Sequence, residues 1–135
     1  MIGVILVTHG RLSEALLETT SFFVSDLSMT RAVTFSSGQG LEDLEASIRA
    51  GIQELDPNEG ILVLVDLPGG SPARAAGTLL LEHPDMELVA GVNIPMLVEV
   101  LMVRESMTLA ELAQHAVSSG MDGIVDIKKL IQPQL

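Results

Sequence analysis

The stretch Gly60–Pro72, GILVLVDLPGGSP, decides the fold of this chain of 135 residues. Its five consecutive apolar residues, Ile61–Val65, are typical of a strand that is buried on both faces of a parallel sheet. Asp66 follows at the carboxyl end of that strand. Because a carboxylate next to a fully apolar strand needs a polar partner, this position is a candidate for chemistry.

The residues after Asp66 predict a glycine turn that opens a helix. Gly69 and Gly70 permit an unusual backbone path. Ser71 is a favoured N-cap residue, and Pro72 fits the first helical position, where its missing N–H has no intrahelical role. The free N–H groups at the start of this helix would point toward a site where an anion could bind.

A second stretch has the same form, since the apolar strand Ile2–Thr8 ends in His9 and Gly10. Each of two predicted strands is therefore followed by an ionisable residue. In open α/β sheets, ligands bind outside the carboxyl ends of the strands, at the point where the strand order reverses. We expect His9, Asp66 and Ser71 to meet at that point.

Hydrophobic periodicity predicts the remaining elements. Apolar residues at helical spacing indicate helices, and short apolar runs between turn residues indicate strands. After the first strand, the prediction is helix Leu12–Val24, strand Arg31–Phe35, helix Leu41–Leu55, strand Ile61–Val65, helix Pro72–Glu82, strand Glu87–Ala90, helix Pro95–Arg104, helix Leu109–Ser119 and strand Ile124–Ile127. This alternation predicts a doubly wound α/β fold, in which helices cover both faces of a mostly parallel sheet of four strands.

Composition predicts a single domain, residues 1–135, with an aliphatic core, because 47% of the residues are apolar and only three are Phe. There is no cysteine, which excludes disulfides and thiolate chemistry and fits a cytoplasmic protein. Neither a signal peptide nor a run long enough to cross a membrane is evident. The net charge of −11 argues against a nucleic-acid partner. That charge serves either solubility or the attraction of a basic protein partner, and both remain open.

Each of the three candidate residues also has a purely structural interpretation. His9 can simply end a strand, Asp66 can form a turn, and Ser71 can cap a helix. Together they suggest a shared site, because a carboxylate bonded to one imidazole nitrogen fixes the tautomer and leaves the other nitrogen nucleophilic. A serine hydrolase triad is disfavoured, since Pro72 follows Ser71 and has no N–H to donate to an oxyanion. No pair of histidines has metal-ligand spacing, so we expect no metal site.

Three motifs give the chain a family resemblance. They are V-T-H-G at Val7–Gly10, V-D-x-x-G-G-S-P at Val65–Pro72, and G-V-N-I-P-M-L-V-E at Gly91–Glu99. Their combination and spacing resemble the IIA component of the mannose family of the bacterial phosphoenolpyruvate:sugar phosphotransferase system. The likeness extends over nearly the whole chain.

The resemblance implies a phosphocarrier, a phosphotransferase without a cofactor. His9 would be the phosphorylated nucleophile, Asp66 would orient it, and Ser71 would help to bind the phosphoryl group. Thr8, Gly10, Gly69 and Gly70 are further residues expected to bind the phosphoryl group. The phosphoryl group would come from the carrier HPr and pass to a IIB component, which serves membrane IIC and IID components. The family also implies a homodimer that exchanges the last strand, here about Gly123–Lys128, as an antiparallel edge.

Two departures from the family pattern lie beside the expected site. Pro68 and Ala73 stand where a sequence of the family has aromatic residues. The sequence therefore does not decide whether the partner-facing surface, or the partner, is the same as in the family. No Ala/Pro-rich linker to a fused IIB domain follows the last predicted strand, so we expect IIB to be a separate protein. Two alternatives remain, namely the phosphocarrier subunit of a dihydroxyacetone kinase and a regulatory module whose phosphorylation state is the signal. The sequence does not identify a sugar.

Overall fold

The computed structural model describes residues 1–132, and the end of the predicted domain, residues 133–135, lies outside them. The strands are β1 (Gly3–His9), β2 (Thr30–Phe35), β3 (Ile61–Val65) and β4 (Met86–Ala90). The helices are α1 (Leu12–Thr20), α2 (Leu41–Leu55), α3 (Ser71–Leu79), α4 (Ile94–Val103), α5 (Leu109–Asp122) and α6 (Ile127–Ile131). The predicted α/β alternation is therefore present from β1 to α5.

The four strands form one parallel sheet in the order β2-β1-β3-β4. The chain first moves from β1 outward to β2 and then returns to β3 on the other side of β1. The strand order therefore reverses between β1 and β3. Because Val7 of β1 pairs with Val65 of β3, the carboxyl ends of these two strands lie side by side. This is the switch point at which the sequence predicts a site.

Both faces of the sheet are buried under helices, as predicted. On one face, Val4 and Leu6 of β1 pack in a core with residues of α1, α4 and α5. On the other face, Ile5 and Val7 pack in a second core with residues of α2 and α3. The alternation along β1 explains why its apolar run is continuous, since neighbouring side chains enter different cores.

Two helices end earlier than predicted because their last residues tighten into turns. After α1, Phe22 N–H donates to the Thr19 carbonyl at 3.1 Å, an i to i−3 bond that replaces the α-helical pattern. After α3, Leu80 N–H likewise donates to the Gly77 carbonyl at 3.2 Å. None of the helices within residues 1–132 combines the length and the apolar character needed to cross a bilayer.

The predicted last strand, Ile124–Ile127, does not form within a single chain. The segment leaves α5 through a turn in which Ile124 N–H donates to the Met121 carbonyl at 3.2 Å. The short helix α6 then begins at Ile127, and the Asp126 side chain caps it by accepting from Lys129 N–H at 3.1 Å. A short apolar run such as this one is ambiguous in sequence, because only an adjacent strand would fix it as β. Residues 121–131 are all exposed.

Candidate functional site

His9 and Asp66 contact each other at the carboxyl ends of β1 and β3. Nδ1 of His9 lies 2.9 Å from Oδ2 of Asp66, and the same oxygen accepts the His9 backbone N–H at 2.9 Å. The other carboxylate oxygen, Oδ1, accepts the Leu67 N–H at 2.9 Å. The carboxylate is thus bonded to the backbone of both strand ends and to the imidazole. This arrangement holds the His9 ring in one orientation.

The environment of Asp66 keeps it ionised. Partial burial raises the pKa of the Asp66 carboxyl, but the hydrogen bonds from His9 N–H, the His9 ring and Leu67 N–H outweigh it, and the net shift is downward from the ordinary 3.8. An ionised carboxylate has no proton to donate, so Nδ1 of His9 carries the proton of their shared bond. The other ring nitrogen, Nε2, therefore has the free lone pair in the neutral imidazole.

The backbone of Gly70 lies close to the Cε1 and Nε2 atoms of the His9 ring. An ideal Cβ placed on Gly70 would lie 2.6 Å from Cε1 and 3.1 Å from Nε2 of His9. The imidazole thus occupies the space that any other residue at position 70 would fill. Gly70 is also the N-cap of α3, so Nε2 lies next to the start of that helix.

Phe35 is a neighbour of His9 that the sequence reasoning missed. The two rings are edge to face, with centroids 6.1 Å apart and an angle of 73° between their planes. The contact follows from the sheet register, which pairs His9 with Phe35 at the ends of β1 and β2. Gly10 extends it, since its N–H donates to the Phe35 carbonyl at 2.8 Å. Only the order and register of the strands could have revealed this neighbour.

The loop after β4 supports the backbone of Asp66. Gly91 N–H lies 3.0 Å from the carbonyl oxygens of both Val65 and Asp66, and Val92 N–H donates to Val65 at 3.1 Å. Gly91 has a φ of +87°, which favours glycine at this position. The start of the G-V-N-I-P motif therefore holds the end of β3, where the carboxylate is attached.

Asn93 anchors the same motif to the end of α5. Its Oδ1 accepts the Met96 N–H at 2.9 Å and so caps α4, while its Nδ2 donates to the Gly120 carbonyl at 3.0 Å. A Cβ on Gly120 would lie 2.8 Å from Cε of Met96, so the two helices approach closely there. This motif contributes packing around the site, and its Asn93 side chain bonds within the fold.

Comparison with known proteins identifies the family. Residues 3–117 match the family model EIIA-man, described as the PTS system fructose IIA component. The chain belongs to this family. The resemblance predicted from the three motifs is thereby confirmed.

Known IIA proteins resemble this chain along most of its length. The mannose-specific EIIAB component of Escherichia coli (strain K12) is 37% identical over 128 residues, which are 94% of this chain and 40% of that protein. The fructose-specific EIIA component of Bacillus subtilis (strain 168) is 35% identical over 115 residues, 85% of this chain and 79% of that protein. A solved structure of EIIA from Streptococcus agalactiae superposes with a TM-score of 0.87 at 26% identity, covering 96% of this chain and 99% of that one.

The site residues predicted for this IIA protein are brought together to different degrees. His9, Asp66 and Gly70 are in contact, as described above. The sequence predicts Ser71 as the N-cap of α3, and this prediction is wrong by one residue. Gly70 is the N-cap, in an extended conformation, and Ser71 is the first residue of the helix. Within residues 1–132 no hydrogen bond joins Ser71 to His9, so the bond that a hydrolase triad requires is not formed.

Thr8, Gly10 and Gly69 differ in their access to the site. Thr8 is fully buried, and its hydroxyl accepts the Ser13 N–H at 2.7 Å, so this side chain ties α1 to β1 and does not face the opening. Gly10, which follows His9 in the chain, and Gly69, which precedes Gly70, are both exposed. No group of three His, Cys, Asp or Glu residues within residues 1–132 is arranged to hold a metal ion.

Proposed function

We propose that this IIA protein is a phosphocarrier that accepts a phosphoryl group on Nε2 of His9. The observation that carries the proposal is the 2.9 Å contact between Nδ1 of His9 and Asp66. It directs the protonated nitrogen inward and leaves Nε2 as the nucleophile. The His9 side chain is 44% exposed, so a partner protein can reach it, whereas Asp66 is only 14% exposed.

The proposed transfer is a displacement at phosphorus. The Nε2 lone pair attacks, the P–N bond of the donor phosphohistidine breaks, and its electron pair stays on the donor nitrogen. A new P–N bond forms on Nε2 of His9, while Nδ1 keeps its proton and its hydrogen bond to Asp66. The carboxylate balances the positive charge that the phosphorylated ring acquires. Transfer to the acceptor reverses these steps and regenerates His9.

The start of α3 is suited to the charge of the moving phosphoryl group. The first residues of a helix have N–H groups without intrahelical acceptors, and here these belong to Ser71 and Ala73, since Pro72 has none. The Ser71 hydroxyl is free of a capping bond in this first turn. Because phosphoryl transfer depends mainly on positioning and charge stabilisation, these groups supply what the reaction needs.

The family resemblance supports the partners. HPr is the proposed donor, a IIB component is the proposed acceptor, and IIC and IID follow in the membrane, with the exchange taking place in the cytoplasm. The two relatives described above are named as mannose-specific and fructose-specific components, which favours sugar uptake over the dihydroxyacetone kinase alternative. Rapid transfer to a purified IIB protein would support transport, and no transfer would favour the regulatory alternative.

Intact-mass spectrometry at alkaline pH tests the carrier proposal. Wild type, His9→Ala and His83→Ala are incubated with phosphoenolpyruvate, enzyme I and HPr. We expect one added phosphoryl group, labile in acid, on wild type and on His83→Ala, which removes a histidine in the turn after α3. His9→Ala should gain none. Phosphate on His9→Ala, or none on folded wild type with its cognate HPr, would refute the proposal.

We also propose that a second copy of the chain covers the C-terminal segment and exchanges a strand there. Ile124 is 78% exposed and Ile127 is 66% exposed, which is unusual for isoleucine. The strand β4 is an edge of the sheet and can accept another strand. Truncation before Gly123 should weaken dimerisation, so that the mass measured by sedimentation falls from that of a dimer toward that of a monomer. Leu81→Asp, at an exposed apolar residue elsewhere, should leave the dimer intact. An unchanged mass after truncation would contradict strand exchange.

A further inference from the structure

Arg74 differs from the other arginines of this acidic chain. The chain has 7 Lys and Arg residues against a net charge of −11. The other arginines have partners, which are Arg11 to Glu14 at 2.9 Å, Arg31 to Glu54 at 3.4 Å, Arg49 to Glu82 at 2.7 Å, and Arg104 to the Ser28 carbonyl at 2.6 Å. Arg74 is exposed, and within residues 1–132 its guanidinium has no ion pair or hydrogen bond. It is therefore available to bind an anion from outside the chain.

Arg74 follows Gly70, the backbone neighbour of the His9 ring, by one turn of α3. Its backbone N–H donates to the Gly70 carbonyl at 3.1 Å, so it lies one turn after the N-cap. Ser71 precedes it by three residues and is its neighbour on the helix surface. Side chains of a helix lean toward its N-terminus, so the Arg74 side chain can extend along the surface toward Gly70 and Ser71.

The phosphoryl group of a phosphorylated His9 would lie at the end of this path. Nε2 lies 3.1 Å from the ideal Cβ position of Gly70, beside the first turn of α3. A guanidinium offers several N–H donors in a planar fork that matches two phosphoryl oxygens. The backbone N–H groups at the start of α3 and the exposed side chain of Arg74 would then both be available to the phosphoryl oxygens.

We propose that Arg74 binds the phosphoryl oxygens when His9 is phosphorylated and stabilises the group during transfer. This inference rests on the proposed function, because it requires a phosphoryl group on Nε2. Arg74 forms no covalent bond and transfers no proton in the step, and its N–H groups only donate hydrogen bonds. Its contribution is charge stabilisation from an exposed side chain, which solvent screens in part.

An acidic side chain of the partner protein is a different anion that Arg74 could bind. The two cases are separable in the isolated phosphoprotein, where no partner is present. Wild type, Arg74→Gln, Arg74→Lys and Arg31→Gln are phosphorylated on His9 and freed of enzyme I and HPr. Arg31→Gln is the matched control, since it removes the same charge away from His9. Arg31 lies near the start of β2, whereas Phe35, the neighbour of His9, is at the end of that strand.

Phosphorus NMR of the isolated phosphoproteins is the first measurement. We expect Arg74→Gln to raise the pH midpoint of the phosphoryl titration, because a nearby cation favours the doubly ionised group. Arg31→Gln should leave the midpoint unchanged, and Arg74→Lys should restore part of the wild-type value. The second measurement is the rate of transfer from HPr, for which we expect Arg74→Gln to lower kcat about tenfold with KM within about twofold.

The outcomes separate this inference from the proposed function. If wild type is not phosphorylated, the carrier proposal fails and this one fails with it. If wild type is phosphorylated but Arg74→Gln matches Arg31→Gln in both measurements, Arg74 does not bind the phosphoryl group and the carrier proposal stands. A change in KM alone, with an unaltered phosphorus titration, would also overturn the inference and assign Arg74 to the partner surface.

Discussion

Gly70 leaves room for the imidazole of His9, since a Cβ at this position would lie 2.6 Å from Cε1 of the ring. Gly70→Ala should therefore displace the ring from Asp66 and from the start of α3. We expect phosphorylation by HPr to slow about 100-fold, because misplacement of a reacting group by about 1 Å has an effect of that order. Single-turnover transfer, followed by intact mass, measures the rate.

The control for this prediction is Gly77→Ala in the middle of the same helix. A Cβ on Gly77 meets no atom within 4 Å, and alanine favours helix more than glycine does. Gly77→Ala should transfer at the wild-type rate and gain about 0.5–1 kcal/mol of stability. Wild-type transfer by Gly70→Ala would show that the ring has space to move aside without loss of function.

Asp66 should contribute stability that depends on pH. The pKa of its carboxyl is lowered in the folded state, so the contribution is complete above the ordinary value of 3.8 and is lost as the pH falls through the lower folded pKa. Asp66→Asn should be less stable than wild type by about 1–2 kcal/mol at neutral pH, since it loses bonds to an ionised acceptor. Urea unfolding at a series of pH values measures the difference.

That difference should shrink as the pH falls below 3.8, because the wild-type carboxyl then becomes neutral as well. A gap that stays constant with pH would mean that shape and not charge accounts for the effect. In transfer assays, Asp66→Asn should fold but be slow, because its amide no longer fixes the His9 tautomer or balances the charge of the phosphorylated ring.

The contact between His9 and Asp66 could be predicted from the sequence. Two apolar strands, each followed by an ionisable residue, combine with the switch-point rule to predict that His9 and Asp66 meet. The rule works because the reversal of strand order makes β1 and β3 neighbours. Periodicity likewise predicted both cores, since continuous apolar runs require helices on both faces of the sheet.

Features that depend on the exact register of the strands, or on a neighbouring strand, could not be predicted from the sequence. Phe35 meets His9 only because β1 and β2 pair in one register, which the pattern of apolar residues does not fix at strand ends. The N-cap of α3 lies at Gly70 and not at Ser71, a shift of one residue that propensities do not resolve. The predicted strand Ile124–Ile127 forms a turn and the start of α6 in the single chain, where it has no strand beside it.

Gly91 should matter to the site as well as to stability. Alanine at its φ of +87° is strained by about 1–2 kcal/mol, and the loop would move away from the Asp66 carbonyl to relieve the strain. Gly91→Ala should therefore lose stability and also slow phosphoryl transfer by a few-fold. Gly38→Ala is the control, because Gly38 has a φ of +94° and likewise no neighbour within 4 Å.

Thermal unfolding and single-turnover transfer together distinguish the two glycine variants. Both should lose similar stability, and only Gly91→Ala should lose transfer rate. Equal transfer rates in the two variants would show that the hydrogen bonds of Gly91 to Val65 and Asp66 do not position the carboxylate.

Asn93 should stabilise the fold through two separate bonds, one that caps α4 and one that holds α5 at Gly120. Asn93→Ala loses both, so we expect a loss of about 2 kcal/mol, the sum of a typical cap and a typical hydrogen bond. Asn93→Ser retains an N-cap but cannot reach Gly120, and should lose about 1 kcal/mol. Thr108→Ala removes only the side-chain cap of α5 and should match the single-bond loss. Urea unfolding of the three variants measures the series, and equal stability of Asn93→Ser and wild type would show that the bond to Gly120 adds nothing.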